Sequence, residues 1–379
     1  MNQHKFYDVC ITGGGLAGLS LSILLSGKGY KVALLEKEKY PLHRLCGEYI
    51  SMESWPFLLN LGLQLDKMEL PRISKLEISS PSGIILKSNL DTGGFGISRH
   101  FLDEHLSILA KKNGVDVFEN TKVKDIQYDK GQFNTIYDLG TIQSKMAIAA
   151  AGKRSNLDIN WSRNFIKKKP SKLNNYIGVK YHVTTDIPSD TISLHNFENG
   201  YCGVSKVEGN KYCVCYLTTA ENLKKSNNSI EQMENDILQK NPLLEKLFKE
   251  SVKINTSPIT ISQISFDIKS LVEKHIIMLG DAAGMITPLC GNGMSMAFRS
   301  AQIIFDLSNQ YLSGNISYLE LEGQYKIQWN NEFSNRLKLG RVVQSLFGKS
   351  MITNIFISVM KKMPFFTKLI IKNTHGKTF

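Results

Sequence analysis

From Tyr7 the chain runs YDVCIT, a short and almost continuous apolar stretch, as a buried strand would be. Glycines 13, 14, 15 and 18 interrupt it, and Leu19, Ile23 and Leu24 then recur at helical spacing as far as Gly27. A second short apolar run, Lys31–Leu35, ends at Glu36. This order predicts strand, turn, helix and strand over residues 7–36. Far downstream, Lys274–Leu279 predicts another buried strand, ending at Gly280-Asp281, and a helix from about Met294 to Tyr311. Between these units, YIGVKYHV, TISLHNF, YCGVSKV and KYCVCYLT are separated by the turn residues Asn199-Gly200 and Glu208-Gly209-Asn210. They predict an antiparallel sheet over 175–219. Helices are expected over Phe101–Asn113, Ser229–Lys240 and Leu243–Lys249, with a return strand over Ile259–Phe266. After Ile316 the pattern reads as helices, one broken at Pro364.

The glycine spacing gives the first unit its chemistry. In Gly13-x-Gly15-x-x-Gly18, one glycine allows the tight turn, one lets backbone approach a pyrophosphate, and one lets helix and strand pack closely. The helix N-terminus offers free N–H groups to the phosphates. Glu36 is placed to accept hydrogen bonds from ribose hydroxyls. Dinucleotide binding follows, but this unit alone does not separate NAD from FAD. The downstream unit does. Asp281, just past a strand end, is placed to hold a ribityl or ribose hydroxyl. Pro288 to Gly293 lead into a helix whose N–H groups would face a flavin edge where negative charge collects on reduction. A nicotinamide protein has no need of this second element.

Four stretches carry a resemblance: GGGLAG…LLEK at the start, RLCGEYIS at 44–51, ISR at 97–99 and GDAAG…PLCGNGMSMA at 280–297. Together they resemble the FAD-dependent oxidoreductases of the hydroxybenzoate-hydroxylase-like fold, and within them the geranylgeranyl-reductase-like branch, which carries a Cys-Gly after the second strand. The resemblance implies that Gly13, Gly15, Leu16, Ala17 and Gly18 meet the pyrophosphate, and that Glu36, with Lys37 beside it, meets the adenosine ribose. It places Arg44 and Arg99 near the FAD phosphates or ribityl chain. Val123, in the strand after the 101–113 helix, would meet adenine through its backbone. Gly280 and Asp281 fall on the ribityl chain, and Pro288, Gly291, Asn292, Gly293 and Met294 on the isoalloxazine. One departure stands out. Many hydroxylases carry Asp-Gly where this chain has Ala151-Gly152.

The fold class expected is α/β, α+β overall: a Rossmann-like FAD/NAD(P)-binding domain, a mixed antiparallel substrate-domain sheet and C-terminal helices. Residues 1–70, 97–160 and 270–312 would form a discontinuous FAD-binding domain. Residues 71–96 and 161–269 would form the substrate-binding domain, and 313–379 a C-terminal helical segment.

The chain has 379 residues, 42% hydrophobic and 21% charged, ordinary for a globular enzyme with a large core. Its net charge of +12 is uneven, because no acidic residue follows Phe333. The plain reading of that tail is a solvated basic face. The same pattern also fits peripheral contact with an anionic membrane, since Ile352, Ile355, Phe356 and Leu369 alternate with lysines. No nucleic-acid module accompanies the charge, so no nucleic-acid partner is expected. The uncharged stretch between Asp8 and Lys28 mimics a signal peptide, but its glycines belong to a turn, and a cytoplasmic location is expected. Six scattered cysteines exclude a disulfide framework. Cys213 and Cys215 read as core packing, the eight histidines as structural or surface groups, and no metal is expected.

Flavin chemistry leaves several reactions open. A monooxygenase acting on an aromatic, polyketide-like or lipophilic small molecule is preferred, because GNGMSMAFRSA looks like the helix entrance of hydroxylases. The alternative is reduction of carbon–carbon double bonds in an isoprenoid or lipid, favoured by Cys46 in RLCGEYIS. A halogenase lacks support, since Trp55, Trp161 and Trp329 stand alone and form no WxWxIP pattern. A non-catalytic FAD-binding protein is the remaining class. No residue is compelled to act as acid or base, and Cys46 and Cys290 are the catalytic candidates. With no second βαβ fingerprint, NAD(P)H would dock transiently as reductant, or a partner would reduce the flavin. Oligomeric state is not readable.

Overall fold

The computed structural model of the chain describes residues 5–168, 174–255, 257–286, 291–346 and 349–363, together with 365, 367, 369–371 and 376–379. Pro288, Cys290 and Pro364, singled out above, lie outside the described residues. The N-terminal unit forms as the pattern predicts, with β1 (Phe6–Thr12), α1 (Leu16–Ser26) and β2 (Val32–Leu35). Then come β3 (Tyr49–Ser51), α2 (Trp55–Asn60), β4 (Arg72–Ser79) and β5 (Ile85–Gly96). The Ser98 hydroxyl caps α3 (Arg99–Lys112) by accepting from the Phe101 N–H. Four strands follow: β6 (Asp116–Phe118), β7 (Val123–Asp129), β8 (Gln132–Tyr137) and β9 (Gly140–Ala149). The strand directly after the 101–113 helix is therefore β6, and Val123 opens the next one.

A capping box at Ser155 and Asp158 starts α4 (Asn156–Asn160). The four apolar runs become β10 (Asn174–Thr184), β11 (Thr191–Phe197), β12 (Gly200–Lys206) and β13 (Tyr212–Thr219). Three short helices, α5 (Ala220–Lys225), α6 (Ile230–Asp236) and α7 (Pro242–Glu250), precede β14 (Val252–Lys253) and β15 (Ile259–Ser265). The chain ends with β16 (Val272–Glu273), β17 (Ile276–Met278), α8 (Gly293–Leu312), α9 (Tyr318–Leu346) and α10 (Ser350–Lys362). Among the described residues no helix is long and apolar enough to cross a membrane.

Two sheets organise these elements. In the first, β17, β9, β1, β2 and β6 lie side by side and parallel, with β16 antiparallel at one edge and the β7–β8 hairpin joined to β9. Helices α1, α3 and α8 pack together, which is why α1 is buried almost all round rather than along one stripe. The second sheet runs β14-β10-β13-β12-β11-β4-β5-β3, with β15 also on β10. The four strands of 174–219 pair antiparallel as expected, while β11 joins β4 in parallel, so the whole sheet is mixed.

Period-two alternation gives the second sheet two different faces. On one, Val179, Tyr181, Val204 and Val214 pack with Met233, Leu244 and Leu247 under α6 and α7. The other carries the rungs His182–Cys213–Ser205 and Lys180–Cys215–Gly203. Residues 44–48 lie across that second face. Lys180 Nζ donates to the Arg44 carbonyl (3.0 Å), Cys213 Sγ to the Cys46 carbonyl (3.3 Å) and Ser205 Oγ to the Gly47 carbonyl (2.8 Å).

Arg163 locks the link between the sheets. Its side chain is fully buried and pairs with Asp158 (2.6 Å), while donating to the carbonyls of Ala282 (3.1 Å) and Ser270 (2.8 Å). Arg163→Ala would leave one buried charge and two carbonyls without their donor. The expected loss is about 3–5 kcal/mol of unfolding free energy, read by urea denaturation; a loss below ~1 kcal/mol would show that the site is wet or relaxes.

Candidate functional site

A cavity of about 1310 Å³ lies between the two sheets and is bordered by the turn after β1, the 44–48 segment, the loops after β9 and β17, and the start of α8. The turn shows why its glycines are there. A Cβ on Gly13, whose φ is +103°, would strike the Ala150 carbonyl, and one on Gly18 would strike the carbonyl of Gly13. These two permit the turn and the close helix–strand contact. Gly15 differs, since a Cβ there would meet only Arg99 Nη2, at 3.9 Å, and would project into the cavity. Gly15 caps α1 without any side-chain hydrogen bond, so the first N–H groups of the helix are left to the cavity. The Thr12 hydroxyl, also at the cavity wall, is buried with no hydrogen-bond partner among the described residues.

A file of alternating charges leads away from the turn. Glu36, at the end of β2, accepts from the Gly14 N–H (2.7 Å) and from Arg44 Nη2 (3.0 Å). Arg44 Nε lies 3.6 Å from Asp103, which takes a two-pronged bond from Arg99 (2.8 Å each). The Arg99 backbone N–H donates to Glu48 (2.8 Å), whose carboxylate is ion-paired with Lys180 and bonded to His182 Nε2 (2.6 Å). Glu48 and Lys180 are fully buried, and Glu48 takes a positive φ of 57°. Burial opposes ionisation of Glu48, but the Lys180 ammonium and then the His182 bond hold its carboxyl down at about 2. Burial likewise opposes the Lys180 charge, and Glu48 outweighs it, so the ammonium is raised above its ordinary value.

Sequence reasoning missed Asp103, Glu48, Lys180 and His182. It read the histidines as structural or surface groups, yet His182, Glu48 and Cys213 bring ligand-type atoms within 4.8 Å of one another. The Lys180 ammonium already balances the Glu48 charge there, so the cluster is complete as an ion-pair network. Cys213 is buried as expected, whereas Cys215 borders the cavity, and burial pushes its thiol up to about 12. Cys46 is half-buried at the cavity wall, and the Glu48 N–H donates to its Sγ (3.5 Å).

The opposite wall comes from β17 and α8. Gly280, with φ +61°, turns the chain against Ala17, and Asp281 borders the cavity. Lys269 clamps two loops by donating to the carbonyls of Lys153 (2.7 Å) and Asp281 (2.8 Å). Burial pulls its ammonium down to about 8, against the attraction of Asp281. Gly291, Asn292, Gly293 and Met294 line the cavity at the start of α8, whose N-terminus has no side-chain cap hydrogen bond. Lys37 and Val123 also reach the cavity, and the Val123 carbonyl accepts from Asn156 Nδ2 (2.9 Å). Gly152, in the Ala-Gly variant noted above, opens onto it with φ +82°. Beyond Tyr201 the wall turns aliphatic: Leu76, Ile78, Leu86, Leu90, Ile192 and Leu194 face the cavity, closed by Phe356 and Met360 of α10.

The profile of the family described as FAD binding domain matches residues 6–308. A digeranylgeranylglycerophospholipid reductase of Methanococcus vannielii is 24% identical over 371 residues, covering 90% of this chain and 87% of that one. The conditioned medium factor receptor 1 of Dictyostelium discoideum is 20% identical over 376 residues, 91% of this chain and 71% of that one. Among solved structures, a triple mutant of the flavin-dependent brominase Bmp2 superposes with a TM-score of 0.80 at 19% identity, over 97% of this chain and 94% of that one; this likeness shows the fold. The chain belongs to the FAD binding domain family, and it is an FAD-dependent oxidoreductase of the hydroxybenzoate-hydroxylase-like fold.

Glu48 sets the acid limit of the site. Its folded value of about 2 lies below its free value of 4.5, so its stabilisation is complete above pH 4.5 and is lost as pH falls towards 2. Glu48→Gln strands Lys180 as an unpaired buried charge. Urea unfolding should show a loss of about 3–5 kcal/mol at pH 7 and a flatter profile between pH 4.5 and 2. A variant with wild-type acid dependence would show that the pair does not titrate as a unit.

Proposed function

We propose that this flavoenzyme reduces carbon–carbon double bonds of a lipophilic, isoprenoid-like substrate. The observation that carries the reading is the cavity's shape: two uncapped helix N-termini open onto its polar end, and the same space continues into an aliphatic chamber. At about 1310 Å³ it exceeds the ~1,000 Å³ upper range of ordinary ligand pockets, which leaves room for a cofactor and a second molecule. The full-length likeness to a digeranylgeranylglycerophospholipid reductase agrees with this.

The residues present fit FAD. In this reading Gly13, Gly15, Leu16 and Ala17 take the pyrophosphate at the start of α1, with Arg99 beside it, held by Asp103, while Gly18, expected there too, lies off the cavity and packs the helix on the turn. Glu36 takes the ribose, with Lys37 and Arg44 near it, and Val123 borders adenine. Gly280 and Asp281 hold the ribityl chain, and Gly291 to Met294 face the redox end. FAD, when bound, supplies hydride, and NAD(P)H docking transiently would replenish it. Reduction of an alkene also needs a proton at the second carbon. Cys46 holds that proton. The Glu48 N–H donates to its sulfur and keeps the side chain at the cavity wall. The aliphatic walls orient the chain and exclude water.

Hydroxylation, preferred on the sequence alone, is the second reading. The glycine-opened entrance of α8 favours it, and the same dry chamber would shelter oxygen chemistry.

Gly15→Val would put a side chain at the head of α1, where a Cβ meets only Arg99 Nη2, at 3.9 Å, at the cavity wall. The purified variant should lose its visible flavin absorbance and unfold cooperatively at the midpoint of wild-type apoprotein; flavin retained at wild-type stoichiometry would remove the turn from the binding site. The reaction itself is read by anaerobic turnover of a polyprenyl lipid with photoreduced enzyme, followed by mass spectrometry. A gain of two hydrogens per bond is expected, and Cys46→Ala should slow it by about 10²–10⁴-fold at saturating substrate. A product that gains oxygen, and only in air, would replace this reading with the second.

A further inference from the structure

Helix α10 is apolar on two opposite sides. Thr353, Ile357 and Met360 are buried, and Phe356 and Met360 close the aliphatic chamber. On the other side Met351, Ile352, Ile355 and Val359 form a stripe at helical spacing, with Met351 76% and Ile355 55% exposed. Surface helices of globular proteins carry polar groups on the outward face. Here that face is aliphatic, and it is bracketed by exposed lysines, Lys349 at the N-cap and Lys361 and Lys362 in the last turn. No acidic residue follows Phe333 anywhere in the sequence. An aliphatic stripe between lysines matches an anionic bilayer: the side chains enter the acyl boundary and the lysines reach lipid phosphates.

We propose that the outer face of α10 docks on an anionic lipid bilayer, so that one helix separates the membrane from the chamber. The docking stands on the helix alone. That the chamber draws its substrate from the bilayer through this wall rests on the reading given under Proposed function.

The test uses the full-length, flavin-loaded protein and sedimentation with phosphatidylcholine vesicles, with or without phosphatidylglycerol. Wild-type protein should pellet with the anionic vesicles at low salt and dissociate as salt screens the lysines. Lys361→Ala with Lys362→Ala should weaken binding roughly 30-fold, taking the usual surface attraction per lysine. Ile355→Glu with Val359→Glu should abolish it. Both pairs point away from the chamber, so flavin content and turnover of detergent-dispersed substrate should be unchanged. No pelleting of wild-type protein, or equal pelleting of the variants, overturns the proposal. So does concentration-dependent self-association that Ile355→Glu with Val359→Glu dissolves, because a second copy would then be the occupant. Pelleting needs no turnover, so docking with no reaction on a polyprenyl lipid would sink the functional reading alone.

Discussion

The structure depends on a file of charges that runs from the glycine turn to β10 of the second sheet, joined at one step by the Arg99 backbone N–H. Glu36, Arg44, Asp103, Arg99, Glu48 and Lys180 alternate in sign, three carboxylates with three cations. Each ion taken from water alone would lose several kcal/mol of solvation. Alternation answers that loss, because every carboxylate in the file has a cation beside it. The file also has a mechanical consequence. Glu48 binds the Arg99 N–H at the start of α3 and Lys180 in β10, so the 44–48 segment cannot leave the second sheet without stranding charge. That segment forms part of the wall of the cavity between the two sheets.

Two helices use the same physics at the two ends of the polar region. An α-helix leaves its first N–H groups without partners. Four helices here answer this with serine or asparagine, at Ser98, Ser155, Ser229 and Asn241, while α2, α5 and α10 carry no side-chain cap bond. At α1 and α8 the cap residues Gly15 and Asn292 make no side-chain capping bond to the helix, and both starts border the cavity. At the starts of α1 and α8, unlike those of α2, α5 and α10, an anionic cofactor in the cavity would supply the acceptor. The glycines and the uncapped termini are thus one feature, since a capping side chain at Gly15 would stand in the space the ligand needs.

What the sequence disclosed follows from range. The glycine turn, Glu36, Gly280, Asp281 and the α8 entrance lie within short segments whose spacing alone implies their geometry; most helix and strand borders shift by only a residue or two, though the helix expected over Ser229–Lys240 already ends at Asp236. The four strands of 174–219 were legible because alternation and turn residues are local. The residues that hold the site together were not. Glu48 and Lys180 are 132 positions apart, and Ser98 and Glu208 are 110 apart. Nothing in the neighbourhood of Lys180 tells that it is buried, because YIGVKYHV reads equally well with its lysine in solvent. Cys215 shows the same limit. Alternation placed it with Cys213 on one face, but which face meets the cavity was decided by a segment 170 residues earlier in the chain.

The cavity also changes character along its length, and that gradient orders what it can hold. Glu36, Lys37, Arg44 and Arg99 stand at one end, while Leu76, Ile78, Leu86 and Leu90 stand at the other. A charged group placed in the aliphatic end would be desolvated with nothing to pair it, and a purely apolar molecule at the charged end would displace water from ions that keep it. A molecule with phosphates at one end and a flat ring at the other is therefore aligned before any specific contact forms. In the reading proposed above, its ring would lie where the aliphatic chamber begins. The second occupant is held to the remaining apolar length, so its polar groups must lie at the ring end or outside. Solvation alone would thus order a phosphate-bearing end and an apolar end along this cavity, and hydrogen bonds would then fix positions within that order.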